Sequence, residues 1–241
     1  MRKTIVTIAA LCLFAMVTLA QKTIRVAAGK ADLVMQVSPK GRLYQVYLGE
    51  KLQNATDYDQ LKWDVYAASD GAVCQRGHEV CATSGAEDFF EPALAITHAD
   101  GNMSTYLYFQ GVEQKPVEGG AETIITLADK EYPVTVKLHY VAYPKQSVIK
   151  AWSEVTHKEK APITLWRYAS TMLYFKSAKY FVTTYHSDWA KEGQPETTQL
   201  ISGKKIVDTK LGTRAAMQEE PFFELGFDAP ARENEGRVML G

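Results

Sequence analysis

Two short stretches of this sequence gather side chains able to hold a polar ligand. Glu87-Asp88-Phe89-Phe90-Glu91-Pro92 places three carboxylates among aromatic rings, and Pro92 restricts the residue before it and so stiffens the segment. Tyr185-His186-Ser187-Asp188-Trp189-Ala190-Lys191-Glu192 brings an imidazole, a hydroxyl, two acids and an indole together. A carboxylate accepts directional, charge-assisted hydrogen bonds from neighbouring hydroxyls, which is what a sugar offers, so Asp88 is a candidate substrate contact. An aspartate in such a loop also commonly caps a turn, and that alternative stays open. Trp189 offers a flat apolar face on which a pyranose ring can pack; a core or interface tryptophan is the competing role. His186 and Asp188, two residues apart on a strand, share a face and are read as structural. Glu87, Glu91 and Glu192 do not form an acid–base pair, because spacing along a loop fixes no carboxyl separation and exposed acids are mostly solvated. No catalytic residue is assigned.

Cys74 and Cys81 bracket a polar segment holding Gly77 and His78. In an oxidising compartment they can close a small disulfide loop. A metal site using Cys74, His78 and Cys81 lacks a fourth ligand nearby, so no metal and no cofactor are expected. The compartment itself is read from the start of the chain. Met1-Arg2-Lys3, an apolar run to Val17 and small residues up to Ala20 have the pattern of a secretory signal peptide, too short and too soon followed by polar Gln21-Lys22 for a membrane span. Cys12 lies within the apolar run. Export to the periplasm or outside the cell is therefore expected for residues 21–241, which carry 25 basic against 28 acidic residues. With no basic patch, nucleic acid is not an expected partner.

The elements that must position these loops read as strands. Tyr132, Val134, Val136, Leu138 and Tyr140 alternate with Pro133, Thr135, Lys137 and His139, which predicts one buried and one wet face. Similar runs are Thr23–Val26, Leu33–Val37, Leu43–Leu48, Lys62–Ala67, Ala93–Thr97, Ser104–Gln110, Glu122–Leu127, Val148–Val155, Ile163–Ser170, Leu173–Phe175 and Tyr180–Tyr185. Turn signals such as Ser38-Pro39-Lys40-Gly41, Asp100-Gly101-Asn102, Glu118-Gly119-Gly120 and Tyr143-Pro144-Lys145 separate many of them. No helical periodicity of ten or more residues intervenes, so the expected class is all-β, a sandwich of antiparallel sheets folded as one domain. Glu235 to Gly241 reads as a turn entering a strand, as if the chain stopped within it.

Three segments, in order, resemble the front part of glycoside hydrolase family 36 α-galactosidases: Gly85-Ala86-Glu87-Asp88-Phe89-Phe90-Glu91-Pro92-Ala93-Leu94 with Asp100-Gly101; Tyr185 to Glu192; and Gly212-Thr213-Arg214 through Pro221-Phe222-Phe223-Glu224-Leu225 to Glu235-Gly236-Arg237-Val238. Val148 to Val155 and Ala161 to Leu165 match a strand pair of the same region. The resemblance covers residues 21–241 and implies an antiparallel β-supersandwich, like the two-sheet sandwich of galactose mutarotase, placed ahead of a (β/α)8 barrel. It further implies a retaining enzyme that removes terminal α-linked galactose from oligosaccharides, with two carboxyls only about 5–5.5 Å apart on the barrel. By the same resemblance Asp88 borders the galactose pocket, often of a neighbouring subunit in a homo-oligomer. This chain then lacks the barrel and is expected to be inactive alone. A free-standing carbohydrate-binding sandwich is the alternative. Phe90, where relatives carry Arg, and Ser187-Asp188, where they carry Gly and a polar residue, depart from the pattern, so galactose and N-acetylgalactosamine are not distinguished.

Overall fold

Alternation of apolar and polar side chains pleats most of this chain, and the buried side of each pleat has to find another sheet. The computed structural model describes residues 22–62, 78–86, 91–208 and 218–241. They divide into two units, one up to Tyr174 and the other from Phe175.

The first unit opens with β1 (Thr23–Ala28), β2 (Ala31–Val37) and β3 (Leu43–Glu50), an antiparallel meander in which the turn predicted at Ser38 is closed by Gly41 N–H donating to the Ser38 carbonyl at 2.8 Å. A single-turn helix, α1 (Ala55–Asp59), follows; the Asp57 carboxylate accepts from both the backbone and the side-chain amide of Asn54. After β4 (Leu94–Thr97) come β5 (Tyr108–Val117), β6 (Gly120–Ala128), β7 (Val134–Tyr143) and β8 (Val148–His157), an antiparallel four-stranded sheet in sequence order, and then β9 (Thr164–Tyr168), which pairs with β4. The β5–β6 turn needs glycine twice. Gly119 has φ 76°, and a Cβ on Gly120 would lie 2.0 Å from the Ala142 carbonyl oxygen.

The core lies between the three-stranded and four-stranded sheets. Ile24, Val26, Leu33, Met35 and Leu43 pack in one cluster with Leu94, Ile96, Leu107, Ile125, Leu127, Val134, Val136, Leu138 and Tyr140. Each such side chain withdrawn fully from water contributes roughly 1.5–3 kcal/mol. The inward face expected of β7 is thus the observed one at Val134, Val136, Leu138 and Tyr140. Its wet face is not wet throughout. His139, expected outside, is buried because it stacks on Trp152 with ring centres 4.6 Å apart and donates to Glu122 at 2.7 Å.

Three other strand expectations differ. Residues 104–107 are not strand, and β5 starts at Tyr108 but runs on to Val117. Residues 173–175 are not strand either: the Tyr174 N–H donates to the Gln45 side chain rather than to a neighbouring strand. Lys62 lies in irregular chain, and residues 63–67 of that expected strand fall outside the described residues.

The second unit is one antiparallel sheet in the order β11-β10-β12-β13, made of β10 (Tyr180–Asp188), β11 (Lys191–Leu200), β12 (Gln218–Phe227) and β13 (Val238–Leu240). Val182, Thr184 and Leu225 are buried, and the Phe227 ring meets those of Phe175 and Tyr180. Among the described residues no helix is long and apolar enough to cross a membrane.

Candidate functional site

The segments that flank Asp88 in sequence belong to a ladder of backbone hydrogen bonds in the first unit. Thr105 N–H donates to the Ser84 carbonyl at 3.1 Å, Ser84 N–H to Leu94 at 3.0 Å, and Ala93 N–H back to Ala82 at 2.8 Å. Thr83 and Leu94 form a parallel bridge, and Leu94 is paired in turn with Tyr168 of β9. Segment 103–106, segment 82–85, β4 and β9 therefore lie side by side as one layer. Backbone hydrogen bonds link its members, the Tyr106 N–H donates to the Asp129 carboxylate outside it, and Leu94 and Ile96 anchor it in the core.

The described residues on either side of 87–90 have partners in other segments. Gly85 adopts φ 74°, and a Cβ there would lie 2.4 Å from Ser104 Oγ and 2.5 Å from Ser104 Cα, so only glycine fits. The Tyr106 hydroxyl donates to the Gly85 carbonyl at 2.9 Å, and Ser84 Oγ donates to the Met103 carbonyl at 3.1 Å. At the far end the Glu91 carboxylate is ion-paired with Arg167 of β9. Asp88 itself, with Glu87, Phe89 and Phe90, lies outside the described residues.

β9 adds aromatic surface beside that loop. Trp166 is 67% exposed, yet its indole N–H is tied to Thr97 Oγ1 at 2.7 Å; Tyr168 is 45% exposed, and its hydroxyl donates to the Ser153 carbonyl. Leu165 is exposed as well, so β9 shows apolar side chains on both of its faces. These residues escaped the sequence reading because Ile163–Ser170 was expected to be an ordinary half-buried strand. The signal was Leu165-Trp166, two large apolar residues in succession where alternation calls for one.

Just beyond β4, His98 Nδ1–H donates to Glu159 at 2.8 Å, and the Ala99 N–H donates to the other oxygen of the same carboxylate at 2.8 Å. The His98 ring stacks on Tyr132 with centroids 3.6 Å apart, and the Tyr132 hydroxyl donates to Asp100 at 2.9 Å. Burial pushes the Glu159 carboxyl up, but the hydrogen bonds from His98 and Ala99 outweigh it and hold the group below the ordinary carboxylate range. This clasp joins the turn after β4 to those after β6 and β8.

Trp189 belongs to the second unit. It sits at the tip of the β10–β11 hairpin between paired Asp188 and Lys191, is 88% exposed, and is followed by Ala190 at φ 59°. Asp188 does not bond His186; its carboxylate accepts the Trp189 N–H at 2.7 Å, because a register shift between His186 and Asp188 breaks the period-two relation. His186 instead donates to Glu196 at 2.7 Å and lies 3.6 Å from Glu219. Ser187 donates to Glu220, and Tyr185 donates to Glu224 at 2.6 Å, a bond that with burial pushes the phenol up to about 12. Glu192 is exposed.

Cys81 is buried, and burial pushes its thiol up to about 12; Cys74 lies outside the described residues. Among the described residues no three His, Cys, Asp or Glu side chains are grouped to hold a metal ion.

Sheets paired antiparallel and rim turns clasped to one another place the protein in the antiparallel β-supersandwich class. The chain belongs to the glycosyl hydrolase family 36 N-terminal domain family, whose sequence pattern matches residues 41–241. It is 26% identical over 239 residues to α-galactosidase AgaA of Geobacillus stearothermophilus, an alignment covering 90% of this chain and 32% of AgaA. A solved structure of AgaA with raffinose superposes with a TM-score of 0.76 at 23% identity, over 90% of this chain and 33% of that one. The α-galactosidase of Lactobacillus brevis superposes with a TM-score of 0.72 at 19% identity, over 86% and 31%. This chain thus spans about a third of the length of the relatives it matches.

Proposed function

We propose that this chain is the non-catalytic N-terminal domain of an exported, retaining α-galactosidase that releases terminal α-linked galactose from oligosaccharides of the raffinose type. Within it the domain supports the catalytic barrel and lends the loop carrying Asp88 to the sugar pocket, across subunits of a homo-oligomer. The observation that carries the reading is the stem of that loop. Family membership alone would be compatible with a slack surface loop, whereas Gly85 and Glu91 are each fixed by side chains from other segments, as a loop must be if it is to position a carboxylate. The bound raffinose of the AgaA structure is a ligand of the class such a carboxylate recognises.

The domain supplies contacts to the substrate, Asp88 first and the exposed Trp189 ring as a second candidate, and none of the bond-breaking groups. Asp88 would accept hydrogen bonds from adjacent galactose hydroxyls and fix the ring against the barrel's nucleophile. Asp88→Ala in the α-galactosidase that carries this domain is the test. Losing one charge-assisted hydrogen bond of about 1.5–3 kcal/mol lowers kcat/KM on raffinose by roughly 10- to 150-fold. An unchanged kcat/KM removes Asp88 from the site. The 241-residue chain alone should release no galactose, and measurable hydrolysis by it would overturn the assignment as a non-catalytic domain.

A further inference from the structure

We propose that the three turns joined by the His98 clasp form a saccharide-binding cavity whose ligand is one or two neutral pyranose rings. The turn after β4 brings Ala99 and Asp100, that after β6 Tyr132 and Pro133, and that after β8 Lys158, Glu159 and Lys160; together they line a cavity of about 290 Å³ that lies open on the surface of the first unit. Its size is at the small end of ligand sites, which run to roughly 300–1,000 Å³. The cavity is preformed, because each turn is tied to another. The Lys158 N–H donates to the Pro133 carbonyl at 2.9 Å, the Glu159 carboxylate accepts from the Ala99 N–H and the His98 ring, and Asp129 Oδ1 accepts from the Tyr132 N–H at 3.0 Å. The His98 ring is held on its other side as well, with Nε2 2.9 Å from Thr105 Oγ1. Little ordering cost is left for a ligand to meet.

Charge decides the class of ligand. Two carboxylates, Asp100 and Glu159, stand against two ammonium groups, Lys158 and Lys160, so the cavity as a whole favours neither an anion nor a cation. Both acids stay ionised. Asp100 is held below the ordinary carboxylate range by the Asn102 N–H and the Tyr132 hydroxyl; burial pushes Glu159 up, but His98 and Ala99 hold it down more strongly. Neither lysine has an acceptor for its ammonium group among the described residues. The unspent capacity is therefore the donors of Lys158 and Lys160 and the remaining lone pairs of the two carboxylates. A hydroxyl serves both, since it donates through its hydrogen and accepts on its oxygen, whereas a phosphate only accepts and a polyamine only donates. Tyr132, Pro133 and Ala99 add an apolar wall against which the C–H face of a pyranose packs. The cavity is built from this chain alone, so the site does not depend on the enzyme proposed above.

Amide chemical shifts of the 241-residue chain, followed as raffinose is added, test the site. Ala99, Asp100 and residues 158–160 should shift and saturate with a Kd on the order of 1 mM, the weak affinity of a small open cavity. Lys158→Ala with Lys160→Ala should weaken that binding about 10-fold, the loss of one charge-assisted hydrogen bond, and should leave the melting temperature unchanged because both side chains are exposed. Lys145→Ala, on the turn at the opposite end of β7, should leave the binding unaltered. No saturable shift at these amides up to about 100 mM raffinose overturns the proposal, and so does full affinity in the double variant. Shifts confined to the Trp189 hairpin would give the sugar to that tip and also overturn it. Inorganic phosphate or spermidine moving the same amides at lower concentrations than raffinose would mark an ion site and overturn it as well. Binding at the cavity together with normal kcat/KM for Asp88→Ala in the assembled enzyme would keep this site and reject only the loop contact.

Discussion

Two exposed tryptophans stand on differently built supports. Trp166 is held by a hydrogen bond to Thr97, 69 residues away in sequence, on a layer whose other members come from three separate segments and whose inner side chains enter the main core. Trp189 stands on a hairpin whose partners are mostly one strand away: Thr183 with Thr197, His186 with Glu196, Asp188 with Lys191. Contacts distant in sequence form only in the folded unit, so the Trp166 edge inherits the rigidity of the core. The hairpin tip depends on its own ladder and on polar pairs that water weakens. Position can be held accurately at the first edge, and adaptability is available at the second.

The largest effect should come from removing the buried anchor of the first edge. Ile96 is fully buried in β4 and pairs with Leu165 across the two-stranded sheet. Ile96→Ala should cost about 2–5 kcal/mol in urea unfolding, through lost transfer free energy and the cavity left behind. It should also raise hydrogen exchange at Ser84 and Leu94, whose amides belong to the same ladder. A cost below about 1 kcal/mol would mean that the layer is not anchored in the core, and the contrast with the hairpin would fail.

A smaller effect, distinguished by its pH dependence, is expected at the clasp. Glu159 is held below its ordinary pKa in the folded protein, so its contribution is present above the unfolded value and is lost as pH falls through the folded one. Glu159→Gln keeps the shape but removes the charge. The gap in urea midpoint between the parent and this variant should be widest near neutral pH and should close on acidification below about pH 4, the unfolded carboxylate range. A gap that is constant with pH would show that the carboxylate acts by shape alone. No comparable acid loss of tertiary structure is expected from Glu196, whose pairing with His186 is exposed to solvent.

The sequence made the core legible because its signal is period two with one greasy face. Val134, Val136, Leu138 and Tyr140 could be placed inward from alternation alone, whereas β2 and β6, legible as apolar runs, are buried over several successive residues and show no single inward face. β11 was not foreseen. Lys191 to Leu200 is nearly all exposed and includes Pro195, so it has no hydrophobic period, and only the backbone ladder to β10 makes it a strand. The layer beneath the Asp88 loop was hidden for another reason: residues 103–106 and 82–85 are irregular segments bonded across long sequence distances, which propensity does not encode. His139 was misplaced because its burial depends on Glu122 and Trp152 of neighbouring strands, a pairing fixed only once register is set. Trp189 was legible as an unusual residue, but its place at a hairpin tip required β11.

The smallest effect should be found at that tip. In this chain Trp189→Ala removes a side chain that is 88% exposed and whose indole N–H has no hydrogen-bond partner among the described residues, so urea unfolding should shift by no more than about 0.5 kcal/mol. The turn should persist, because Asp188 accepts the backbone N–H of residue 189 whatever side chain stands there. If the ring packs on a sugar, the same substitution in the assembled α-galactosidase should raise KM while leaving kcat nearly unchanged, the signature of binding lost equally from ground and transition states. If it packs on protein, KM stays and thermal inactivation accelerates. A loss above about 1 kcal/mol in the chain alone would show that the tip is packed rather than free, and the two tryptophans would then differ less than their supports suggest.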